Sequence, residues 1–273
     1  MADSKRSGLI SFVIRTATAA VYASVMLAAI IWGRPLGLGI VLSAAGMLAV
    51  REFYAITRRE HRLPNELGGV LAVGAMPIAA ALHGWLGLMS TVTVLAVAAL
   101  AWHVAFRQVR TTDTAVTVFG ALYVGFALSF FVLLRKLPDG TILALATIVS
   151  VWANDVFAYL VGSTMGRHKM APRISPNKSW EGFAAGTAFT MLVWFLTGLV
   201  VDIGLSTAWL LLVGLCVSLA SVLGDLFESR IKREAGVKDS GTLLPGHGGF
   251  LDRFDSLILV SIVAYHLLWI GLS

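Results

Sequence analysis

Acidic and basic side chains are concentrated in one stretch, residues 224–255, which reads GDLFESRIKREAGVKDSGTLLPGHGGFLDRFD. Six carboxylates alternate there with basic residues, and apolar runs lie on both sides. Charge next to a bilayer is costly, so such residues usually have a function. Carboxylate oxygens are the ligands that Mg²⁺ prefers, and basic side chains bind phosphate. The stretch therefore indicates a metal–phosphate substrate such as a nucleoside triphosphate.

The spacing predicts which of these side chains share a helix face. Ser229 is four residues and Lys232 seven residues after Asp225, which is one face of a helix. Asp252 and Asp255 are three residues apart and share a face if that turn is helical. These carboxylates would converge from different helices, as a divalent cation requires.

Pairing with a neighbouring base is the alternative for each acid. Asp225 could pair with Lys232, and Asp252 with Arg253 or Lys238. For any single acid, pairing with a base and a functional role are equally good explanations of its presence. The clustering of the set at one membrane face favours function.

Basic residues in two polar loops are candidate phosphate ligands. They are Arg173, Lys178, Lys232, Arg233, Lys238 and Arg253. Attraction to anionic headgroups is the alternative, but acids placed among the bases would weaken a purely electrostatic anchor. Gly248 and Gly249 follow His247. Glycines allow backbone N–H groups to approach an oxyanion. The alternative is that this run of glycines forms an ordinary turn. His247 is a candidate proton carrier, phosphate donor or turn residue.

The second polar loop contains SPNKSWEG, residues 175–182. Its candidate substrate contacts are Ser175, Asn177, Lys178 and Glu181. Lys178 and Glu181 could instead form an i,i+3 pair at the start of a helix. We interpret Trp180 as an interfacial anchor.

The composition indicates a polytopic membrane protein. The 273 residues are 58% hydrophobic and 13% charged, with a mean hydropathy of +0.83. Soluble domains have about 25% charged residues. The net charge of +6 is explained by topology, and we expect no nucleic-acid partner. One cysteine, Cys216, excludes an internal disulfide.

Nine spans result when the apolar runs are divided at charged, Pro and Gly clusters, with about 20 residues per span. They are 13–33, 36–56, 67–84, 86–105, 116–134, 141–163, 183–201, 207–227 and 255–272. We expect an all-α fold in a single transmembrane domain, residues 1–273. Residues 1–140 form its N-terminal helices, and residues 141–273 form the catalytic helices and loops.

The basic residues predict the orientation. With nine spans, 18 of the 21 Lys and Arg residues lie on the side that carries the N-terminus. Only Arg34, Arg135 and Lys136 lie on the other side. By the positive-inside rule the N-terminus and both polar loops, 164–182 and 228–254, are cytoplasmic. The first apolar run has no clear cleavage site, so we expect a retained helix rather than a signal peptide.

One long pattern in the chain resembles the signature of the phosphatidate cytidylyltransferases, or CDP-diacylglycerol synthases. It runs S229-x-IKR-x4-KD-x-G-x2-LP-x-HGGF-x-DRFD255 without a departure. The preceding Gly-Asp-Leu and the SPNKSWEG loop are also similar to that family, so the resemblance covers residues 150–256. Where the family commonly has Asp-Thr-Gly-Ala-Tyr, this chain has Asp155-Val156-Phe157-Ala158-Tyr159. The Asp of the family pattern is present as Asp155, while the two residues after it differ from that pattern.

The resemblance implies that CTP and phosphatidic acid give CDP-diacylglycerol and pyrophosphate, a step of phospholipid biosynthesis. It implies Mg²⁺ on Asp225 and Asp252, with K⁺ as a candidate second ion. Ser229 would bind a phosphate or orient Asp225, and Asp239 and Asp255 would orient bases or metal-bound waters. The implied site comprises Asp225, Ser229, Lys232, Arg233, Lys238, Asp239, Asp252, Arg253 and Asp255.

The same resemblance implies a multi-pass protein of the bacterial inner membrane with a cytoplasmic active site. Membrane lipids would surround it, and a homodimer is a candidate assembly. A transporter is an alternative, although it predicts inverted repeats that the sequence lacks. A cytidylyltransferase for another lipid phosphate is a second alternative. A CDP-alcohol phosphotransferase is disfavoured because its DGxxAR…GxxxDxxxD pattern is absent.

Overall fold

The computed structural model describes residues 2–60, 62–241, 243 and 248–273, and of residues 2–15 only the helical backbone. Its helices are α1 (Ala2–Ile31), α2 (Arg34–Arg58), α3 (Glu66–Ala105), α4 (Thr111–Ala121), α5 (Ala127–Arg135), α6 (Gly140–Met165), α7 (Trp180–Val200), α8 (Thr207–Glu234) and α9 (Leu251–Leu272). A π-helical turn, Leu122–Phe126, joins α4 to α5. Two short strands, β1 (Lys169–Ala171) and β2 (Ser175–Ser179), form an antiparallel hairpin.

Seven helical segments of the described chain are long and apolar enough to cross a membrane. They are Arg34–Arg58, Glu66–Ala105, Thr111–Arg135, Gly140–Met165, Trp180–Val200, Thr207–Glu234 and Leu251–Leu272. The described apolar part of α1, Thr16–Ile31, is shorter. The expected α-helical membrane class is confirmed, and the count of nine spans stays a prediction.

Helix α3 contains a break at the boundary between the predicted third and fourth spans. Gly84 has φ 62° and ψ −141°, outside the helical region, and divides the 40-residue helix into two segments. Only glycine adopts such angles without strain. The sequence prediction cut the run at this residue, between 67–84 and 86–105.

The two helices next to the charged stretch extend beyond the predicted membrane spans. Helix α8 continues to Glu234 instead of ending at residue 227, and α9 begins at Leu251 instead of residue 255. Glu, Lys and Arg are good helix formers, and Lys232 and Arg233 in the last turn of α8 complement the helix dipole. The polar loop predicted at 228–254 is therefore shorter, and the other loop contains the unpredicted hairpin.

Side-chain caps fix where three helices begin. Asn65 caps α3, Ser179 caps α7 and Ser206 caps α8, each accepting a hydrogen bond from a backbone N–H of the first turn at 3.0–3.3 Å. Such caps satisfy N–H groups that the helix leaves without partners. Ser179 is also the last residue of β2, so the strand that carries Lys178 is joined directly to α7.

Small residues allow the last four helices to pack closely in chain order. Gly186 of α7 lies against Asn154 of α6, and Gly214 of α8 lies against Met191 of α7. A Cβ added at Gly224 would be 2.5 Å from the carbonyl oxygen of Asp255. This close approach of α8 and α9 brings Asp225 next to the first turn of α9.

Candidate active site

Acidic residues from three helices meet at one end of the α6–α9 bundle. Asp155 on α6, Asp225 on α8 and Asp255 on α9 lie close enough for their charges to interact. The sequence predicted that Asp225 and Asp255 converge from different helices. A cation bound by one of these carboxylates would offset their mutual repulsion.

Asp225 is held by two side chains. Lys178 Nζ on β2 is 2.6 Å from Asp225 Oδ2, and Ser229 Oγ donates to Asp225 Oδ1 at 3.2 Å. The predicted shared helix face of Asp225 and Ser229 is confirmed, since this hydrogen bond spans one helical turn. The side chain of Asp225 keeps 31% of its surface exposed, so its carboxylate remains accessible.

Asp252 is held mainly by the loop before α9. Its Oδ2 accepts hydrogen bonds from the Ser240 backbone N–H at 3.0 Å, from Ser240 Oγ at 2.9 Å and from the Gly249 N–H at 2.8 Å. Gly248 has φ 81°, which lets the chain turn so that the next N–H reaches the carboxylate. Only 8% of the Asp252 side chain is exposed.

Lys232 joins the two helices through buried ion pairs. Its Nζ donates to Asp252 Oδ1 at 2.6 Å and also pairs with Glu228, whose side chain is 1% exposed. The pairings considered from the sequence, Asp225 with Lys232 and Asp252 with Arg253 or Lys238, are wrong. Sequence neighbours were assumed there, whereas the structure pairs Asp225 with the hairpin and Asp252 with α8.

Glu52 on α2 is a site residue that the sequence reasoning missed. Its Oε2 accepts from Ser240 Oγ and from the Leu251 N–H, both at 2.9 Å. Glu52 is 5% exposed, and Gly241 and Gly249 pack so closely against it that neither has room for a side chain. An isolated acid within an apolar helix was the signal that could have identified it.

A cavity of about 410 Å³, here called the acidic cavity, lies between α1, α6 and α9. Asp155, Asp252, Arg253 and Asp255 line it, together with Tyr22 of α1. The predicted common face of Asp252 and Asp255 is confirmed, since α9 is helical at both residues. The cavity has room for a charged headgroup and offers it both acids and a base.

A smaller cavity of about 240 Å³, here called the hairpin cavity, lies between α6, the hairpin, α7 and α8. Asn177, Lys178 and Asp225 line it, as does Asp155. Asp155 therefore faces both cavities. Its side chain is exposed at this junction.

Most of the other predicted bases and acids lie on the surface. Arg233, Lys238, Asp239 and Arg253 are exposed. Arg233 donates to the Ile174 and Val237 carbonyls at 3.3 and 3.0 Å, which ties the end of α8 to the hairpin turn. Asp255 accepts from the N–H of Ser256 at 2.6 Å.

Glu181 supports the hairpin. It accepts hydrogen bonds from the backbone N–H groups of Arg167 and His168, and the His168 ring Nδ1 is 2.6 Å from its Oε1. The alternative i,i+3 pair with Lys178 does not form, because Lys178 turns to Asp225. Ser175 pairs with Ala171 in the hairpin. His247 lies outside the described residues.

The carboxylates present fit a metal ion whose coordination shell is completed by the substrate. Among the residues that the structure describes, no three Asp, Glu, His or Cys side chains form a group that could hold a metal ion by themselves. Mg²⁺ is usually bound by one or two carboxylates, with water and substrate phosphates filling its other positions. The partly exposed Asp225, beside Asp155 and Asp255, matches that chemistry.

Comparison with known proteins agrees with this geometry. A sequence model described as the cytidylyltransferase family matches residues 13–271. The chain is 42% identical over 149 residues to a phosphatidate cytidylyltransferase of Bacillus subtilis (strain 168), covering 54% of this chain and 55% of that protein. It is 43% identical over 162 residues to one of Mycobacterium leprae (strain TN), covering 57% and 50%. The chain thus matches about half the length of these curated relatives.

Proposed function

The chain belongs to the cytidylyltransferase family, and from that premise we propose that it transfers the cytidylyl group of CTP to phosphatidic acid. The products are CDP-diacylglycerol and pyrophosphate. The observation that carries the proposal is the pair of cavities that share Asp155. One is lined by Lys178 and Asp225, the other by Arg253 and Asp255. Two phosphate-bearing substrates can therefore approach the same acidic cluster from different sides.

CTP occupies the hairpin cavity in this proposal. Lys178 lies there beside Asp225. It can break this ion pair and bind a phosphate oxygen of CTP instead. The amide of Asn177 lines the same space. Glu181 acts indirectly, because it holds the turn that carries the strand.

Phosphatidic acid occupies the acidic cavity, with its phosphate near Arg253. That residue is exposed and lines the cavity, so its guanidinium can bind the phosphate. Lys232 is buried between Glu228 and Asp252, and we assign it to holding α8 and α9 together. This differs from the direct phosphate contact expected from the sequence.

Mg²⁺ is the proposed cofactor. Asp225 would hold it together with substrate phosphates, and the neighbouring Asp155 and Asp255 would orient its waters. When bound, it would neutralise phosphate charge that otherwise repels these acids. Asp252 is the less accessible of the two predicted ligands, because three donors of the loop already occupy its Oδ2.

The reaction is an in-line displacement. An anionic oxygen of the phosphatidate phosphate forms a bond to the α-phosphorus of CTP. The bond from that phosphorus to the bridging oxygen of the β-phosphate breaks, and pyrophosphate leaves with the electron pair. The attacking oxygen carries no proton, so no general base is needed, and catalysis rests on positioning and charge.

The test uses the purified full chain in mixed micelles with phosphatidic acid, Mg²⁺ and CTP labelled on the α-phosphorus. We expect label in the lipid fraction and stoichiometric pyrophosphate, both abolished by EDTA and restored by Mg²⁺. Absence of labelled lipid would refute the proposal. Uptake of a solute into proteoliposomes without CTP turnover would support the transporter alternative.

The proposed location is the bacterial inner membrane, with the site on the cytoplasmic face where CTP is present. The bias of Lys and Arg between the predicted loops supports this orientation. The test replaces Cys216 by Ser, introduces single cysteines at Lys238 and at Asp202, and measures their reactivity towards a membrane-impermeant reagent. Labelling of position 238 from outside intact cells would show that the orientation is opposite to the proposed one.

A further inference from the structure

An apolar groove lies beside the acidic cavity. It has a volume of about 560 Å³ and runs between α1, α2 and the start of α9. Its walls include Ala17, Val21, Val41, Ala44, Phe250 and Phe254. The small alanine side chains leave the space open on the α1 and α2 sides.

The groove is continuous with the proposed headgroup site. Thr18 and Tyr22 on α1 line both the groove and the acidic cavity. The Tyr22 ring packs edge-on against Phe254 with centroids 5.7 Å apart, and the same side chain lines the acidic cavity together with Arg253 and Asp255. Tyrosine suits such a boundary because one end is apolar and the other polar.

The first turn of α9 separates two chemical environments. Phe250 and Phe254 face the groove, whereas Asp252 and Asp255 face the acidic cavity. A molecule with a phosphate and a hydrocarbon chain could therefore place one part on each side of this turn. The continuity of the groove with the acidic cavity at Thr18 and Tyr22 favours such a lipid as the occupant over a second protein copy.

Resting on the proposed function, we propose that the groove binds an acyl chain of the phosphatidic acid substrate during the reaction. The phosphate lies in the acidic cavity, and the chain passes Thr18 and Tyr22 into the space between α1 and α2. Burial of the chain positions the phosphate, so substrates with longer chains bind more tightly.

The experiment narrows the groove and varies the length of the lipid. Ala44→Phe fills the α2 wall at an exposed position, so the core is not overpacked. Ala20→Phe is the matched control, because Ala20 is exposed on α1 and lines neither cavity. Initial rates are measured with dioleoyl and with dihexanoyl phosphatidic acid at saturating CTP.

For Ala44→Phe we expect KM for the dioleoyl substrate to rise about tenfold, as for other hydrophobic-pocket changes, with KM for the dihexanoyl substrate and for CTP unchanged. Ala20→Phe should match the wild type. Equal effects on both lipids, or no effect, would overturn the proposal. A shift in oligomeric state with chain-independent loss would assign the groove to a second copy. A wild type that uses neither lipid would refute the proposed function itself.

A second measurement does not depend on a variant. Wild-type protein is irradiated with phosphatidic acid that carries a diazirine near the end of one acyl chain. Adducts are expected within residues 17–26 or 41–48, and excess dioleoyl substrate should compete with them. Adducts confined to other helices would contradict the groove assignment.

Discussion

Asp225 and Asp252 each lie 2.6 Å from a lysine, yet their surroundings differ. Asp225 has two side-chain partners and keeps 31% of its side-chain surface exposed, whereas Asp252 also accepts two backbone N–H groups and keeps 8%. A carboxylate bound to backbone groups can change partners only if the chain moves. A carboxylate bound to flexible side chains can exchange them for substrate or metal. We therefore expect the lysine pair of Asp252 to be structural and the lysine pair of Asp225 to be exchangeable.

The largest effect is expected for Asp252→Asn. It removes one of the two carboxylates that pair with Lys232 and weakens the acceptor for Ser240 and Gly249. Breaking a buried pair costs about 3–5 kcal/mol, so we expect both a lower thermal midpoint and loss of CDP-lipid synthesis. Size-exclusion chromatography after heating in detergent measures the first effect. An unchanged midpoint would contradict the structural role.

Asp225→Asn should separate activity from stability. We expect turnover to fall about 10²–10³-fold, as when one charged stabilising group is removed from an active site. The thermal midpoint should change little, because a partly exposed ion pair contributes about 1 kcal/mol or less. A midpoint as low as that of Asp252→Asn would remove the distinction between the two acids, and full activity would refute the metal assignment.

Lys178→Gln tests whether the partner of Asp225 binds nucleotide. Loss of one charge-assisted contact should raise KM for CTP about tenfold, with KM for phosphatidic acid unchanged. Lys178→Arg should retain part of the affinity, because it keeps the charge but changes the geometry. Lys169→Gln, at an exposed position of the same hairpin, is the control. Equal changes in both KM values would point to a general distortion of the hairpin.

Glu52→Gln is expected to have the smallest effect. The amide oxygen can still accept from Ser240 and Leu251, but the charge is lost, which costs about 1–2 kcal/mol. Turnover should fall severalfold with the KM values unchanged, because the residue acts through the loop. Glu66→Gln, which removes a surface pair with Arg58, is the control. A change in KM for CTP would indicate that Glu52 reaches the nucleotide.

Contacts within one helix were predictable, and contacts between distant segments were not. The Asp225–Ser229 hydrogen bond follows from the helical repeat, and the shared face of Asp252 and Asp255 does as well. The Lys178–Asp225 pair joins a hairpin that apolar periodicity cannot reveal. Lys232 turned to α9 because Gly224 allows α8 and α9 to approach closely, which the sequence spacing does not encode.

The general class of the fold was also predictable, because apolar runs of about 20 residues are required to span a bilayer. The break at Gly84 coincides with a predicted boundary, since glycine and proline interrupt helices most readily. The predicted eighth span ended at residue 227, although the predicted shared face of Asp225, Ser229 and Lys232 requires the helix to continue to at least residue 232. Charged residues were taken as the end of a span, although they are good helix formers outside the bilayer.

The hydrogen bond from Ser240 to Glu52 connects residues 188 positions apart, which has a consequence for biosynthesis. At roughly 5–20 residues per second, the ribosome makes Ser240 roughly 10–40 seconds after Glu52. During that interval Glu52 is a buried acid of α2 that lacks the donors of this loop. The nascent chain therefore gives this acid its hydrogen-bond donors only after Ser240 and Leu251, at the start of α9, have been made.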